Sequence, residues 1–150
     1  MDAPVEIDTV LVPIDGSDES LEAVDYAVAI AGSYDALVHV VYVLGDEVNR
    51  AIASGVVNED EVVAESQATF DSIADAAADV GVSMTHSIAY GFSQQRLTVH
   101  PGSVILDSAD QIDADFLVIP RESGREESAD VLEKAAEYVL LYASQPVLSV

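Results

Sequence analysis

The segment Thr9–Ser20 constrains the fold of this chain more than any other part of the sequence. An apolar run ends abruptly in Asp15-Gly16-Ser17, and an apolar pattern of helical spacing follows at once. This order predicts a buried strand, a tight turn and a capped helix, which together open an α/β sheet. Ligands of such sheets bind at the carboxyl ends of the strands, where Asp15 and Gly16 fall. The segment therefore predicts a fold class and the edge of the sheet that would carry a site.

Strands and helices alternate along the rest of the 150 residues, without a repeat or a linker. The second strand is almost entirely apolar, which is typical of a sheet covered by helices on both faces. The alternation predicts a single α/β domain over residues 1–150, with a parallel sheet and right-handed crossovers. The predicted strands are Asp8–Ile14, Ala36–Leu44, Val82–Tyr90, Asp115–Pro120 and Val147–Val150, and the predicted helices are Ser17–Ser33, Asn58–Val80, Ser103–Asp110 and Ser128–Ala143.

The charge of the chain is extreme, with 28 Asp and Glu residues against 5 Lys and Arg residues and a formal net charge of -23. Half of the residues are hydrophobic, which separates the chain from disordered acidic sequences. A folded domain with this charge repels itself at low salt, whereas about 1 M salt shortens the Debye length to about 3 Å. The combination resembles cytoplasmic proteins of salt-accumulating halophiles. It also argues against a nucleic-acid partner, which requires a basic surface.

Several function classes are disfavoured by what the sequence lacks. It contains no cysteine, which excludes disulfides, thiolate metal sites and a thiol nucleophile. No apolar run approaches the roughly 20 residues that span a bilayer, and Met1–Pro4 does not begin a signal peptide. His39, His86 and His100 lack the spacing of a metal site, and no base lies near Ser17 in the sequence. We expect a cytoplasmic protein that is not an enzyme, holds no metal and has no membrane partner.

The opening segment resembles the first strand and turn of the universal stress protein family. The resemblance extends over almost the whole chain through Pro101–Leu106, Ala114–Ile119 and the ending Ala136–Leu148. It implies a doubly wound five-stranded sheet of order 3-2-1-4-5 and a homodimer that forms through the last strand. Here that strand, Pro146–Val150, is short and apolar, which suits pairing with a second copy. A short edge strand within a monomer is the alternative.

The resemblance also bears on ATP, because ATP-binding members of this family carry a loop after strand four with Gly, two residues, Gly, nine residues, then Gly and Ser. Glycines at these positions let backbone N–H groups approach the phosphates. In this chain the three positions hold Pro120, Ser123 and Glu133, and Lys134 stands where Ser is expected. Proline has no N–H, and Glu133 places negative charge near anionic phosphates. A register shifted by one keeps Gly124 without rebuilding the loop. We therefore expect no tight ATP binding and no cofactor.

The nucleoside side of the implied site is better preserved. Asp15 at the end of strand one is able to accept hydrogen bonds from a ribose or an exocyclic amine, although Asp-Gly-Ser is also ordinary turn chemistry. Ser17 is predicted to be the N-cap of the first helix, with Ser20 opposite it as in a capping box. By resemblance, the residues of this weak or vestigial nucleotide pocket are Pro13, Ile14, Asp15, Val41 and Ile119, with Ser123 and Gly124 at its phosphate end.

Three functions stay open on the sequence. We favour a non-catalytic, dimeric stress-response module that acts through an unidentified protein partner. The second is an adenine-nucleotide binder, for ATP or AMP, that uses Arg121, Arg125 and Lys134 in place of the glycine loop. The third is a weak nucleotide hydrolase, which no residue supports. An inserted segment, Gly91–Thr98, is predicted on the same rim as Asp15, where it covers the pocket, forms a partner surface or has no role.

Overall fold

The computed structural model describes residues 6–44, 46–90, 101–120 and 130–150. Within these ranges the strands are β1 (Thr9–Ile14), β2 (Leu37–Leu44), β3 (Met84–Tyr90), β4 (Phe116–Ile119) and β5 (Val147–Ser149), and the helices are α1 (Asp18–Tyr34), α2 (Asp46–Ala53), α3 (Glu59–Asp79), α4 (Pro101–Gln111) and α5 (Asp130–Tyr142). All strand pairs are parallel, and the sheet order is β3-β2-β1-β4-β5. The predicted α/β class and strand order are confirmed.

Alternation along β1 divides the core into two apolar clusters, one on each face of the sheet. Val10, Val12 and Ile14 point to one face and pack in a cluster with residues of α1 and α3. Leu11 points to the other face and packs with residues of α4 and α5. All four side chains are fully buried, and each contributes about 1.5–3 kcal/mol by leaving water. Because apolar clusters cover both of its faces, β1 lies at the centre of the fold. This packing fixes the position of its carboxyl end.

The connection between β2 and α3 contains a helix that the sequence analysis missed. This helix, α2, spans only eight residues, Asp46–Ala53. Eight residues are fewer than the roughly 10–12 at which helical periodicity identifies a helix in a sequence. The other predicted elements are present, with ends that differ by at most two residues where the described ranges permit comparison.

The amino ends of β1 and β4 are joined by one carboxylate. Asp115, just before β4, accepts hydrogen bonds at Oδ2 from the backbone N–H groups of Asp8 at 2.9 Å and Thr9 at 3.0 Å. The Asp115 N–H in turn donates to the Thr9 carbonyl at 2.9 Å. These three bonds fix the register of the two central strands at the edge of the sheet opposite the predicted site.

Helices α4 and α5 approach closely at Gly102. A Cβ atom added to Gly102 would lie 2.6 Å from two carbon atoms of the Tyr138 side chain, which is closer than real Cβ contacts. The Tyr138 ring also packs against Tyr142, with ring centroids 4.6 Å apart. Glycine at position 102 therefore sets how near the first turn of α4 comes to α5.

Candidate functional site

The carboxyl end of β1 runs into a turn whose polar groups bond one another. Asp15 Oδ1 accepts from the Ser17 N–H at 2.9 Å, and the Asp15 N–H donates to Ser20 Oγ at 3.3 Å. The side chain of Asp15 is half-buried. One carboxylate oxygen thus stabilises the turn, as the turn interpretation of Asp-Gly-Ser predicts. An ionised carboxylate offers about four acceptor positions, so this bond leaves Asp15 able to accept from a ligand as well.

Ser17 caps α1, as the sequence predicts. Its Oγ accepts from the Ser20 N–H at 3.2 Å, and its backbone is extended, with φ of -74° and ψ of 157°. Ser20 occupies the capping-box position opposite Ser17, as predicted, but the reciprocal bond of a full capping box is absent. In that motif the third helical side chain accepts from the N-cap N–H, whereas Ser20 Oγ donates to the Ser17 carbonyl at 2.9 Å. The Ser17 N–H instead donates to Asp15 Oδ1.

Tyr42 of β2 supports this turn from the face of the sheet that α1 and α3 cover. Its hydroxyl lies 3.5 Å from the Asp15 carbonyl, at the long limit of a hydrogen bond. Gly16 has a φ of 87°, and a Cβ atom added there would lie 2.7 Å from Tyr42 Oη. The turn therefore requires glycine twice, for its left-handed backbone and for the approach of the tyrosine hydroxyl.

The ring of Tyr42 belongs to an aromatic stack beneath the turn. It meets Phe70 of α3 edge to face, with centroids 6.1 Å apart, and Phe70 stacks on His86 of β3 at 4.2 Å. Burial raises the pKa of the Tyr42 hydroxyl, and the carboxylates of Glu65 and Asp15 raise it further. The hydroxyl therefore keeps its proton and acts as a donor. Sequence analysis missed Tyr42, because its apolar strand context indicates only core packing.

Three of the predicted pocket residues lie side by side at this edge. Pro13 of β1 pairs with Val41 of β2. Leu11 pairs with Leu117 in β4, which places Ile119 level with Pro13 two residues further along. The Val41 and Ile119 side chains are fully buried in the cluster with α4 and α5, and Pro13 is buried too. These residues form a packed apolar base at the edge of the sheet.

Ile14 stands apart from the other predicted pocket residues. Its side chain is fully buried in the cluster on the opposite face, with α1 and α3. This follows from strand alternation, since neighbouring side chains of β1 point to opposite faces. Only the Ile14 backbone lies at the predicted site, so its side chain does not line the face shared by Val41 and Ile119.

The phosphate end of the implied site is partly within the described ranges. Pro120 is buried directly after β4. The backbone positions of Glu133 and Lys134 lie in α5, near its beginning at Asp130. The remaining residues assigned to this end, Arg121, Ser123, Gly124 and Arg125, lie outside the described residues, as does the segment Gly91–Thr98.

The part of the chain that the structure describes contains neither a metal-binding cluster nor a helix that could span a membrane. There, His, Asp and Glu side chains form no group of three that could hold a metal ion. Over the same ranges, no helix is both long enough and apolar enough to cross a membrane.

The parallel sheet of order 3-2-1-4-5, with helices on both faces and a strand-turn-helix at its carboxyl edge, defines a doubly wound α/β protein. Within this class the chain belongs to the universal stress protein family, because the model of the "Universal stress protein family" matches residues 6–150. A search of curated proteins found no match.

Solved structures share the fold over nearly the whole chain. The universal stress protein UspA from Lactobacillus plantarum is 21% identical, with a TM-score of 0.75 over 98% of this chain and 99% of that one. A universal stress protein in complex with cAMP is 22% identical, with a TM-score of 0.64 over 97% and 98% of the two chains. The universal stress protein from Archaeoglobus fulgidus in complex with dAMP is 21% identical, with a TM-score of 0.62 over 97% and 98%. At these identities the likeness supports the fold alone.

Proposed function

We propose that this chain is a non-catalytic universal stress protein that works as a dimeric stress-response module and does not hold ATP tightly. The observation that carries the proposal is Pro120. This residue is buried at the carboxyl end of β4, where the family resemblance places the first glycine of the phosphate loop. A proline there offers no N–H to a phosphate and fixes its own φ.

The charge of the following segment supports the same conclusion. Between positions 121 and 134 the sequence holds five acidic residues and three basic residues, a net charge of -2. A segment that receives a triphosphate usually supplies N–H donors and positive charge instead. The acidic residues are Glu122, Glu126, Glu127, Asp130 and Glu133, and the basic residues are Arg121, Arg125 and Lys134.

A calorimetric titration of ATP with Mg²⁺ into the purified protein at molar KCl tests the proposal. High salt screens the repulsion among carboxylates, so a silent titration is not explained by unfolding. We expect no saturable heat and no rise in melting temperature. Saturable binding would overturn the proposal and would point to Arg121, Arg125 and Lys134 as substitutes for the glycine loop.

A second function, binding of an adenosine monophosphate, is favoured by one specific comparison. Two structurally similar proteins are complexes with cAMP and with dAMP, which carry a single phosphate. Such a ligand relies less on a triphosphate loop and more on the nucleoside edge, where Pro13 pairs with Val41 and Asp15 retains acceptor capacity. This edge is the better preserved half of the implied site.

Titration of AMP and cAMP separates this second function from the first. In the second function Asp15→Asn weakens binding about tenfold, because the amide keeps the turn but loses the charged acceptor, worth about 1.5 kcal/mol or more. Asp18→Asn is the matched control, since Asp18 is exposed in the first turn of α1 and its loss removes the same charge. If Asp15→Asn and Asp18→Asn bind AMP and cAMP with equal affinity, Asp15 does not bind the nucleotide.

The proposed dimer rests on the outer edge of β5. In this strand the even-numbered residues bond to β4, since the Pro146 carbonyl accepts from Leu117 and the Val150 N–H donates to Ile119. The intervening residues, Val147 and Ser149, direct their N–H and C=O groups away from β4, as strand geometry requires. The helix that precedes β5 in the chain, α5, ends in three exposed apolar residues, Leu140, Leu141 and Tyr142. Among the described residues this edge has no strand partner, and an open edge favours pairing with a second copy.

Sedimentation at molar KCl tests the dimer. Ser149→Pro removes an outward N–H without removing a bond to β4, so we expect it to shift the mass from two chains to one. Ser149→Ala keeps the N–H and is expected to remain dimeric. A wild-type mass of one chain would contradict the proposal.

A further inference from the structure

A polar cluster lies between β2 and β3, away from the turn at Asp15. The His39 side chain is buried, with 8% of its surface exposed. Its Nδ1 lies 2.7 Å from Thr85 Oγ1, and its Nε2 lies 3.0 Å from Ser87 Oγ. His39 and Thr85 are register partners in the parallel pair, which explains why the three side chains meet. Thr85 is exposed and Ser87 is half-buried, so the buried imidazole faces hydroxyls that reagents are able to reach.

The protonation of His39 decides what the two hydroxyls do. Burial lowers the pKa of His39 below its usual 6.5, and the charge of His86 lowers it further, so the ring is neutral at neutral pH. A neutral imidazole has one N–H and one lone pair, so one hydroxyl accepts from the ring and the other donates to it. The shorter distance, 2.7 Å, is typical of a hydroxyl donor, and 3.0 Å is typical of an N–H donor. This assignment makes Thr85 the donor to Nδ1 and leaves Ser87 to accept from Nε2.

We propose that Thr85 is an activated hydroxyl that His39 serves as general base, and that it accepts an acyl group from a neutral activated ester. Thr85 Oγ1 attacks the acyl carbon and forms a new C–O bond, while its proton passes to His39 Nδ1. The bond between the acyl carbon and the alcohol of the ester breaks, and that alcohol leaves with the electron pair. His39 then gives the proton to the leaving alkoxide or to water. Ser87 holds the ring by accepting from Nε2 throughout.

The class of donor follows from charge and access. At low salt a net charge of -23 repels anionic acyl donors such as acyl phosphates, whereas a neutral ester approaches without that penalty at any salt concentration. Thr85 lies on β3, at the edge of the sheet, and its side chain is exposed. A hydroxyl within hydrogen-bond reach of a neutral imidazole meets the geometric condition for general-base assistance, which contributes about 10²–10⁴-fold in rate.

The molecule contains its own control for this reaction. Thr69 of α3 is half-buried, and its hydroxyl donates to the Glu65 carbonyl at 3.3 Å, which cannot take up a proton. A comparison of Thr85 with Thr69 in a single sample therefore needs no variant. Background from amines is small, because the sequence holds a single lysine, Lys134.

Reaction of the full chain with p-nitrophenyl acetate at molar KCl, followed by peptide mass spectrometry, tests the proposal. We expect acetylation of Thr85 at least about 10²-fold faster than that of Thr69, in line with general-base assistance. Equal rates at the two threonines, or no acetylation at Thr85, would overturn the proposal.

Two substitutions assign the roles. His39→Gln keeps a side chain able to bond both hydroxyls but removes the base, so the rate at Thr85 is expected to fall to that at Thr69. Thr85→Ser keeps the hydroxyl and is expected to retain acetylation at position 85. If His39→Gln acetylates Thr85 as fast as the wild type, His39 is not the base. If His39→Gln does not fold, a wild-type rate at Thr85 no higher than that at Thr69 still overturns the proposal.

Discussion

The turn after β1 is specified by individual atoms. Gly16 combines a left-handed backbone with the close approach of the Tyr42 hydroxyl, while Asp15 and Ser17 bond each other across it. The backbone requirement excludes most side chains, and the tyrosine excludes even a methyl group. The position of the Asp15 carboxylate therefore depends on a hydroxyl that comes from the neighbouring strand.

Gly16→Ala is expected to lower the free energy of unfolding by about 1–3 kcal/mol, because the new Cβ meets both the left-handed φ and Tyr42 Oη. Gly55→Ala is the control. Gly55 has a φ of 80° but no atom within 4 Å of an added Cβ, so only the backbone cost of about 1 kcal/mol remains. Tyr42→Phe is expected to recover part of the Gly16→Ala loss. Urea unfolding of the three variants measures this, and equal losses at Gly16 and Gly55 would show that the hydroxyl does not matter.

His39 makes the stability of the protein depend on pH. Its pKa is lowered in the folded state by burial and by His86 of the adjacent strand. Above the unfolded pKa of 6.5, neither state binds the proton and the contribution is complete. As the pH falls through that value, the unfolded chain takes up the proton first, so the folded state loses stability. We expect wild type to lose more stability than His39→Gln between about pH 7.5 and about pH 5.5. Parallel pH profiles of urea unfolding would contradict this.

At the scale of elements, the register of β1 with β4 depends on Asp115. Its carboxylate accepts from two backbone N–H groups at the start of β1. Asp115→Ala leaves both donors without this partner, and we expect a loss of about 1–3 kcal/mol in the free energy of unfolding. Asp115→Asn retains one acceptor oxygen and is expected to lose less. Thermal unfolding of the two variants checks the order, and an Ala variant as stable as the Asn variant would rule out the role assigned to the carboxylate.

Much of this element layout was predictable, because the strands are apolar runs bounded by turn residues and Ser17 has the chemistry of an N-cap. The helix α2 was missed, since two turns give little periodicity. The reciprocal bond of a capping box between Ser20 and Ser17 is absent, because the Ser17 N–H donates to Asp15 instead. Sequence alone also leaves open which side chains of different strands meet. The sheet register brings Tyr42 to the Gly16 turn and His39 to Thr85. The sequence around each of these residues does not specify that register.

At the scale of the whole molecule, the charge of -23 acts on stability rather than on fold. We expect the unfolding midpoint to rise from low salt to molar KCl, because screening shortens the range of repulsion among the carboxylates. A gain of about 2 kcal/mol corresponds to about 4–8 °C in a domain of this size. Scanning calorimetry across a KCl series measures the midpoint. A midpoint that stays constant or falls would contradict the interpretation of the acidic residues as an adaptation to salt.

The central proposal concerns the whole binding edge, and it holds that the nucleoside half is kept while the phosphate half no longer supports ATP. The most direct test titrates ATP with Mg²⁺ into the wild type and into a variant with Pro120→Gly, Ser123→Gly, Glu133→Gly and Lys134→Ser, both at molar KCl. These changes restore the glycines and serine that the family resemblance expects. We predict no saturable heat for the wild type and saturable binding for the variant. Saturable ATP binding by the wild type would contradict the account.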